Sequence, residues 1–446
     1  MSSIDSTRIS RLKAGVQSAI EQSRDEIISF GEDIFEHPEL GFRELRTADR
    51  LGNVLGDLGM DVVDGLAISG IKADVRGGAA GPAICVMGEL DALPLPSHPR
   101  SDPVTGAAHA CGHHAQLAHL VGVAHGLAES GAMQHLAGRV VYVGVPAEEY
   151  VDLDWRREQQ SEGRLEFLGG KAELLRVGTF DDVDIAMMVH ATGREEDRSL
   201  ALRSGMNGML AKRVRFLGRE AHAGTSPERG INALNAATLA IQAIHAQRET
   251  FRDDDRIRVH PIMTSGGETV NVVPAEARLE MYVRAATTDA LTAVAGKVDR
   301  ALRAGALALG ATVEIETLPG YLPLHPYGPL DDVFARNAQT LVGDDLVELG
   351  PTGGSTDAGD LSHLMPVLHP FHGGCGGSNH SPDFAVTDPE TAYVMPAIAM
   401  AWTIVDLLTA NAAEAREISA SFVPDFTIEG YIEHMRQLSG RECYDA

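Results

Sequence analysis

The sequence is poor in cysteine and in positive charge, and each shortage removes a class of protein. Its 4 cysteines, Cys85, Cys111, Cys375 and Cys443, are too few and too scattered over 446 residues for a disulfide framework. Any that matter act as thiols. Against 63 Asp and Glu there are 37 Lys and Arg, a formal charge of −26 that repels a phosphate backbone. No nucleic acid is expected as a partner. The opening MSSIDSTRIS lacks the basic start and apolar core of a signal peptide, and no apolar run reads as long enough to span a bilayer. A cytoplasmic protein without a membrane partner is therefore expected. What is present, 44% hydrophobic and 22% charged residues, is the balance of a globular chain. At this length two domains are the default, because single cores stop growing near 250–300 residues.

Hydrophobic spacing at Leu12, Val16 and Ile20, then at Ile27, Phe30 and Ile34, predicts one long amphipathic helix ending in EHPELG. Three continuous apolar runs follow, Ile84–Met87, Val140–Val145 and Val183–Val189, which suit strands buried on both faces. A helical pattern at Leu117, Leu120, Val121, Ala124 and Leu127 separates the first two. Strands alternating with helices imply an α/β fold, a mainly parallel mixed sheet covered on both faces. Near residue 203 the pattern changes to β-α-β-β-α-β, with Ala277, Leu279, Met281 and Val283 alternating against Arg278, Glu280, Tyr282 and Arg284. That order suits a ferredoxin-like α+β domain. It reads as an insertion, giving a first catalytic part at 1–202, an inserted lid or dimerisation domain at 203–319, and a second catalytic part at 320–446.

Possible metal ligands follow the three buried runs: Glu89 and Asp91 with Cys111 and His113, then Glu148 and Glu149, then His190. In open α/β sheets ligands gather beyond the carboxyl ends of the strands. In AHACGHH the start of a helix favours a thiolate at Cys111, and thiolate, imidazole and carboxylate together suit zinc or a similar ion. An isolated C-x-H pair reads more readily as a buried cysteine beside a satisfied histidine, but His109 and His114 crowd the same turn. In PAEEY one glutamate can ligate while its neighbour acts as base, provided the strand has already turned into a loop. Two solvated surface glutamates are the plainer alternative. His190 alone is as well read as a capping or core histidine. His380 in GGSNHS is a late candidate ligand, and GSTDAGD at 354–360 stands evenly between a turn and a site segment.

In order, HPELGFRE, GELDALP, HACGHH, PAEE, GGKAELLRVGTFDDVDIAMMVH, HAGTSPERGINALNA, NVVP, GSTDAGDLS and NHSPDF span nearly the whole chain. Together they resemble the aminoacylase and glutamate-carboxypeptidase superfamily of dinuclear metallopeptidases, in its auxin-conjugate and aminobenzoyl-glutamate amidohydrolase branch. The resemblance implies two divalent ions per subunit, zinc, manganese or cobalt, held by Cys111, His113, Glu149, His190 and His380. It implies Glu148 as general base and Asp91 as the acid that orients a ligand. His222 resembles a histidine that reaches into the neighbouring subunit's site, so a homodimer, or a higher oligomer built on it, is expected. Asn271, Arg284 and His114 are the candidate substrate contacts, and a guanidinium suits a substrate carboxylate. Two positions depart from the branch: His114 replaces the common Asp or Asn, and Glu89 stands where other branches place a metal-binding histidine. The charged stretch 150–167, with Trp155, lengthens the connection after PAEE and is expected to shape a pocket.

The function implied is hydrolysis of the amide bond of a small N-acyl amino acid, dipeptide-like or aminobenzoyl-amino-acid substrate. Hydrolysis of another C–N bond, such as a carbamoyl, formimino or aryl amide, would use the same chemistry. A metal-binding dimer without turnover is the remaining alternative.

Overall fold

Buried apolar strands and an apolar helix build the first of two units. A computed structural model describes residues 3–445, so the first two residues of MSSIDSTRIS lie outside the described residues. The chain divides into one unit of 1–204, 325–351 and 360–428, and a second of 205–324, 352–359 and 429–446.

In the first unit the strands are β1 (Val62–Leu66), β2 (Gly70–Arg76), β3 (Ala79–Glu89), β4 (Ala137–Val145) and β5 (Ile185–Met187), with a short strand at Val367–Leu368. Their order across the sheet is β1, β2, β4, β3, β5 and then Val367–Leu368. The pairings β4–β3, β3–β5 and β5–Val367–Leu368 are parallel, whereas β1 and β2 join antiparallel at one edge. The sheet is mixed and mainly parallel, as its continuous apolar runs require.

The expected single N-terminal helix is two, α1 (Ser3–Gln22) and α2 (Arg24–Glu36), interrupted at Ser23. There the hydroxyl donates to Glu129 Oε2 at 3.0 Å, so a tertiary contact holds the break. Helix α3 (His113–Glu129) is buried on every side from His113 to Leu127, more than the one-sided pattern predicted, because it packs against β3, α1, α2 and Met395–Leu408. A second correction concerns apolar length. Glu390–Leu408 is long and apolar enough to cross a membrane, yet 78% of it is buried inside the fold, as for a core helix. The third apolar run is also shorter than its pattern: β5 ends at Met187, and His190–Ala191 pairs with Phe371–His372 in another sheet.

In the second unit β6 (Gly208–Leu217), α4 (Ala233–Ala246), β7 (Arg258–Ser265), β8 (Glu276–Ala285), α5 (Thr288–Leu309) and β9 (Thr312–Tyr321) follow the expected order. Antiparallel strands lie in the order β7, β8, β6, β9, and their buried side chains pack on α4 and α5. A fifth strand, β10 (Gly440–Tyr444), pairs with β9. Residues 429–446 therefore cluster with this unit, whereas the sequence pattern grouped them with the first. Edge pairing by backbone groups leaves no periodicity long enough to read.

Candidate metal centre

Polar side chains collect just beyond the ends of β3 and β4. After β4 the chain bends through Ala147 at φ +51°, whose N–H donates to Glu44 Oε1 at 2.7 Å. That left-handed residue is the turn that carries both Glu148 and Glu149 into the interior, 6% and 8% exposed. Cys111 and His113 flank Gly112, which caps α3 at φ +85°. A Cβ on Gly112 would sit 2.2 Å from that of Ala191, beside His190. His380, at φ +63°, is anchored by its own N–H to Ala110 O at 2.7 Å.

Among the described residues these elements bring together three overlapping donor groups: Cys111, His113 and His190; Cys111, Glu149 and His380; and Glu89, His113 and Glu148. Within each, the donor atoms lie within 4.8 Å of one another. Such spacing matches atoms sharing one ion, since two bonds of about 2.0–2.3 Å span about 4–4.6 Å. Cys111 Sγ is 3.2 Å from His380 Nε2 and 3.7 Å from His190 Nε2, and His380 Nε2 is 2.9 Å from Glu149 Oε1. Asp91 ties two donors together. Its Oδ1 lies 3.2 Å from His113 Nδ1, and its Oδ2 accepts the Glu149 N–H at 2.9 Å. Its carbonyl also meets His113 Nδ1 at 2.9 Å. This fixes the ring so that Nε2 points into the donor cluster, 3.1 Å from Glu89 Oε2 but without a well-formed hydrogen bond. A buried imidazole nitrogen turned toward other donors and oriented by a carboxylate is the arrangement of a metal ligand, and a thiolate, imidazole and carboxylate set fits a zinc-type ion.

The electrostatics agree with that fit. Burial and Glu149 push the Cys111 thiol up, but His380, His190 and His113 outweigh them and bring it to about 5. Burial would raise Glu149, and His380 with His113 lowers it to about 2. Glu149 and Cys111 together lift His380 to about 12. The anionic donors thus face protonated imidazolium groups, whose positive charge a bound cation would replace. Their histidine neighbours differ: burial, followed by His113, holds His109 at about 3, and burial, followed by His190, does the same for His369.

Not every expected residue lines this cluster. His114 is wholly buried, stacked on Phe35 with centroids 4.5 Å apart, and burial keeps it far below its ordinary value. This corrects its reading as a substrate contact, because its apolar helix face turns it into the core. Glu89 accepts from Lys171 Nζ on Oε1 at 2.6 Å and from Gln116 Nε2 on Oε2 at 2.8 Å. His113 Nε2 is 3.1 Å from the same Oε2. In the second unit His222 is exposed, bridges to Val272, and accepts the N–H groups of Gly224 and Thr225 on Nδ1 at 3.1 and 3.2 Å. Asn271 is exposed and its carbonyl accepts from Ala223 N at 3.0 Å. Arg284 is half-buried, 5.4 Å over the ring of Tyr282.

Two residues escaped sequence reasoning. Lys171 is completely buried against Glu89, and its only signal is a charged residue inside the apolar GGKAELL. Arg156, 1% exposed, donates to Glu149 O at 2.5 Å and Leu168 O at 2.6 Å. The stretch 150–167, expected to shape a pocket, thus contains a helix, Leu153–Ser161, that braces the backbone behind Glu149.

Residues 204–308 match the family described as the peptidase dimerisation domain. The chain is 30% identical over 347 residues to the Xaa-Arg dipeptidase of Mus musculus, covering 74% of this chain and 72% of that protein. To the Xaa-Arg dipeptidase of Homo sapiens it is 31% identical over 322 residues, 69% of this chain and 68% of the relative. Among solved structures, a Bacillus subtilis protein described as a dinuclear metal binding peptidase from the M20 family superposes with a TM-score of 0.65 at 22% identity. That match covers 87% of this chain and 99% of the other, and shows a shared fold.

Proposed function

Because the chain belongs to the M20 peptidase family, a family of hydrolases acting on small peptide or amide substrates, we propose that it is a metal-dependent amidohydrolase of a compact substrate with a free carboxylate. The observation that carries this reading is the convergence of buried Cys111, His113 and Glu149 with half-buried His190 and exposed His380, Glu148 beside them. These five donors would hold two divalent cations, zinc, manganese or cobalt. Bound there, the cations supply Lewis acidity toward a carbonyl oxygen and toward water.

Glu148 takes the proton of the attacking water and returns it to the leaving nitrogen, so the amine departs neutral. Asp91 holds His113 and Glu149 in register. Arg156 holds the Glu149 backbone. Exposed His222 is assigned to the tetrahedral oxyanion of a neighbouring subunit's substrate, and Asn271 and Arg284 to its carboxylate. A homodimer follows from that assignment, and the dimerisation-domain match supports it. The names of the two mammalian relatives make dipeptides with a basic side chain the first substrates to try. We place the enzyme in the cytoplasm.

The test is amine release from N-acyl amino acids, Xaa-Arg and Xaa-Lys dipeptides, aryl amides and carbamoyl compounds. Metal-stripped protein resupplied with zinc, manganese or cobalt is the catalyst. Metal-restored cleavage of amides supports the reading; cleavage confined to carbamoyl compounds moves the reaction to another C–N bond. Glu148→Gln should keep its metal and fold while turnover falls by about 10²–10⁴ or more. Near-normal turnover would remove Glu148 as the base.

A further inference from the structure

A second nitrogen and oxygen donor group lies in the first unit and shares no residue with the cluster around Cys111. His325, His363 and Asp425 place one donor atom each within 4.8 Å of one another. The rings of His325 and His363 have centroids 4.8 Å apart, tilted by 46°. His363 Nδ1 is 2.6 Å from Asp425 Oδ2. His363 is buried, whereas His325 and Asp425 reach solvent.

The backbone holds the group together. Asp425 N donates to His363 O at 2.9 Å, Phe426 N approaches the same carbonyl at 3.4 Å, and His325 N donates to Ser362 Oγ at 3.1 Å. Each donor therefore sits on a segment fastened within one residue of another donor. Among the described residues neither ring nitrogen of His325 is hydrogen-bonded. Burial and His363 both hold the His325 imidazole below its ordinary value, against a smaller opposing pull from Asp425. A neutral imidazole keeps a lone pair available to a cation.

We infer that His325, His363 and Asp425 form a binding site for a zinc-type divalent cation, separate from the catalytic donors. Two imidazoles and a carboxylate suit zinc, cobalt or nickel, and three protein donors leave a position for water. The placement along the chain gives the site its purpose. His325 is the first residue after the segment 205–324, His363 follows the excursion 352–359 by four residues, and Asp425 precedes the final departure at 429 by four. Three of the five points where the chain passes between units are thus tethered at one cluster in the first unit. A cation there fastens those segments to each other, and its binding energy adds to the stability of that unit.

The experiment uses the full-length protein, stripped of metal and titrated with cobalt, with bound cobalt counted by elemental analysis. Cobalt on Cys111 gives a thiolate charge-transfer band in the near ultraviolet, whereas cobalt on His325, His363 and Asp425 gives none. The site predicts that His325→Gln and Asp425→Asn, both at solvent-reaching positions, each lose one equivalent of cobalt while the thiolate band keeps its full intensity. Zinc should also raise the melting temperature of the wild type more than that of either variant. Unchanged stoichiometry in both variants overturns the proposal. So does loss of the band together with the equivalent, which would place the missing ion at Cys111.

Discussion

Lys171 and Glu89 meet at 2.6 Å with neither side chain exposed, so their pairing is costly to break. Replacing one partner leaves a buried charge uncompensated, at about 3–5 kcal/mol, whereas removing both is far milder. Lys171→Met should therefore lower the melting temperature sharply, and adding Glu89→Gln should recover much of the loss. A double-mutant cycle of thermal unfolding measures it; additive effects would deny the coupling. Asp331 offers a pH test away from the metal donors. Burial, with Asp332 and Glu348, raises its carboxyl from 3.8 to about 7, and its Oδ1 has no hydrogen-bond partner. A raised folded value means that its favourable contribution is complete below about pH 4 and is lost as pH climbs through 7. Asp331→Asn should gain on the wild type over that interval, by roughly 1–2 kcal/mol at pH 8 after solvent screening. Melting curves at pH 4.5 and pH 8 check it, and a difference independent of pH would refute the assignment.

Elements position these residues through a few backbone constraints. Gly112 has a left-handed φ, and a Cβ there would lie 2.2 Å from that of Ala191, so Gly112→Ala must move either the start of α3 or the strand His190–Ala191. The expected outcome is a loss of about 2 kcal/mol or more in stability. Weaker metal retention should accompany it, since Cys111 and His113 adjoin the strained residue. Calorimetry together with metal analysis after dialysis would read both, and a variant normal in both would remove the constraint. The strands and helices of the second unit were legible because period-2 and period-3.6 patterns run through them. The break at Ser23 was not, since the apolar spacing on either side is compatible with one helix and the contact to Glu129 leaves no mark in that spacing. Nor was the role of 150–167, where a charged surface pattern conceals Arg156 turned inward against two carbonyls.

For the whole molecule the testable question is whether one subunit completes the site of another. His222→Ala and Glu148→Gln proteins, each impaired alone, form mixed dimers on subunit exchange in which one site regains an intact Glu148 and His222. Random pairing predicts recovery of about a quarter of the wild-type rate. Demonstrated exchange without recovery would confine His222 to its own chain or to no catalytic role.

Residue order alone determined the class of fold, the family and a set of candidate donors. Apolar runs bounded by Cys111-Gly112-His113, Glu148-Glu149 and His190 carry a local signal that burial and donor chemistry make readable. Only the tertiary structure decided which of those polar groups face one another. It turned His114 into the core, gave Glu89 to Lys171 and Gln116, and returned the last strand to the edge of β9. Those outcomes depend on contacts between segments far apart in sequence, where shape and desolvation choose among partners that local periodicity leaves equivalent.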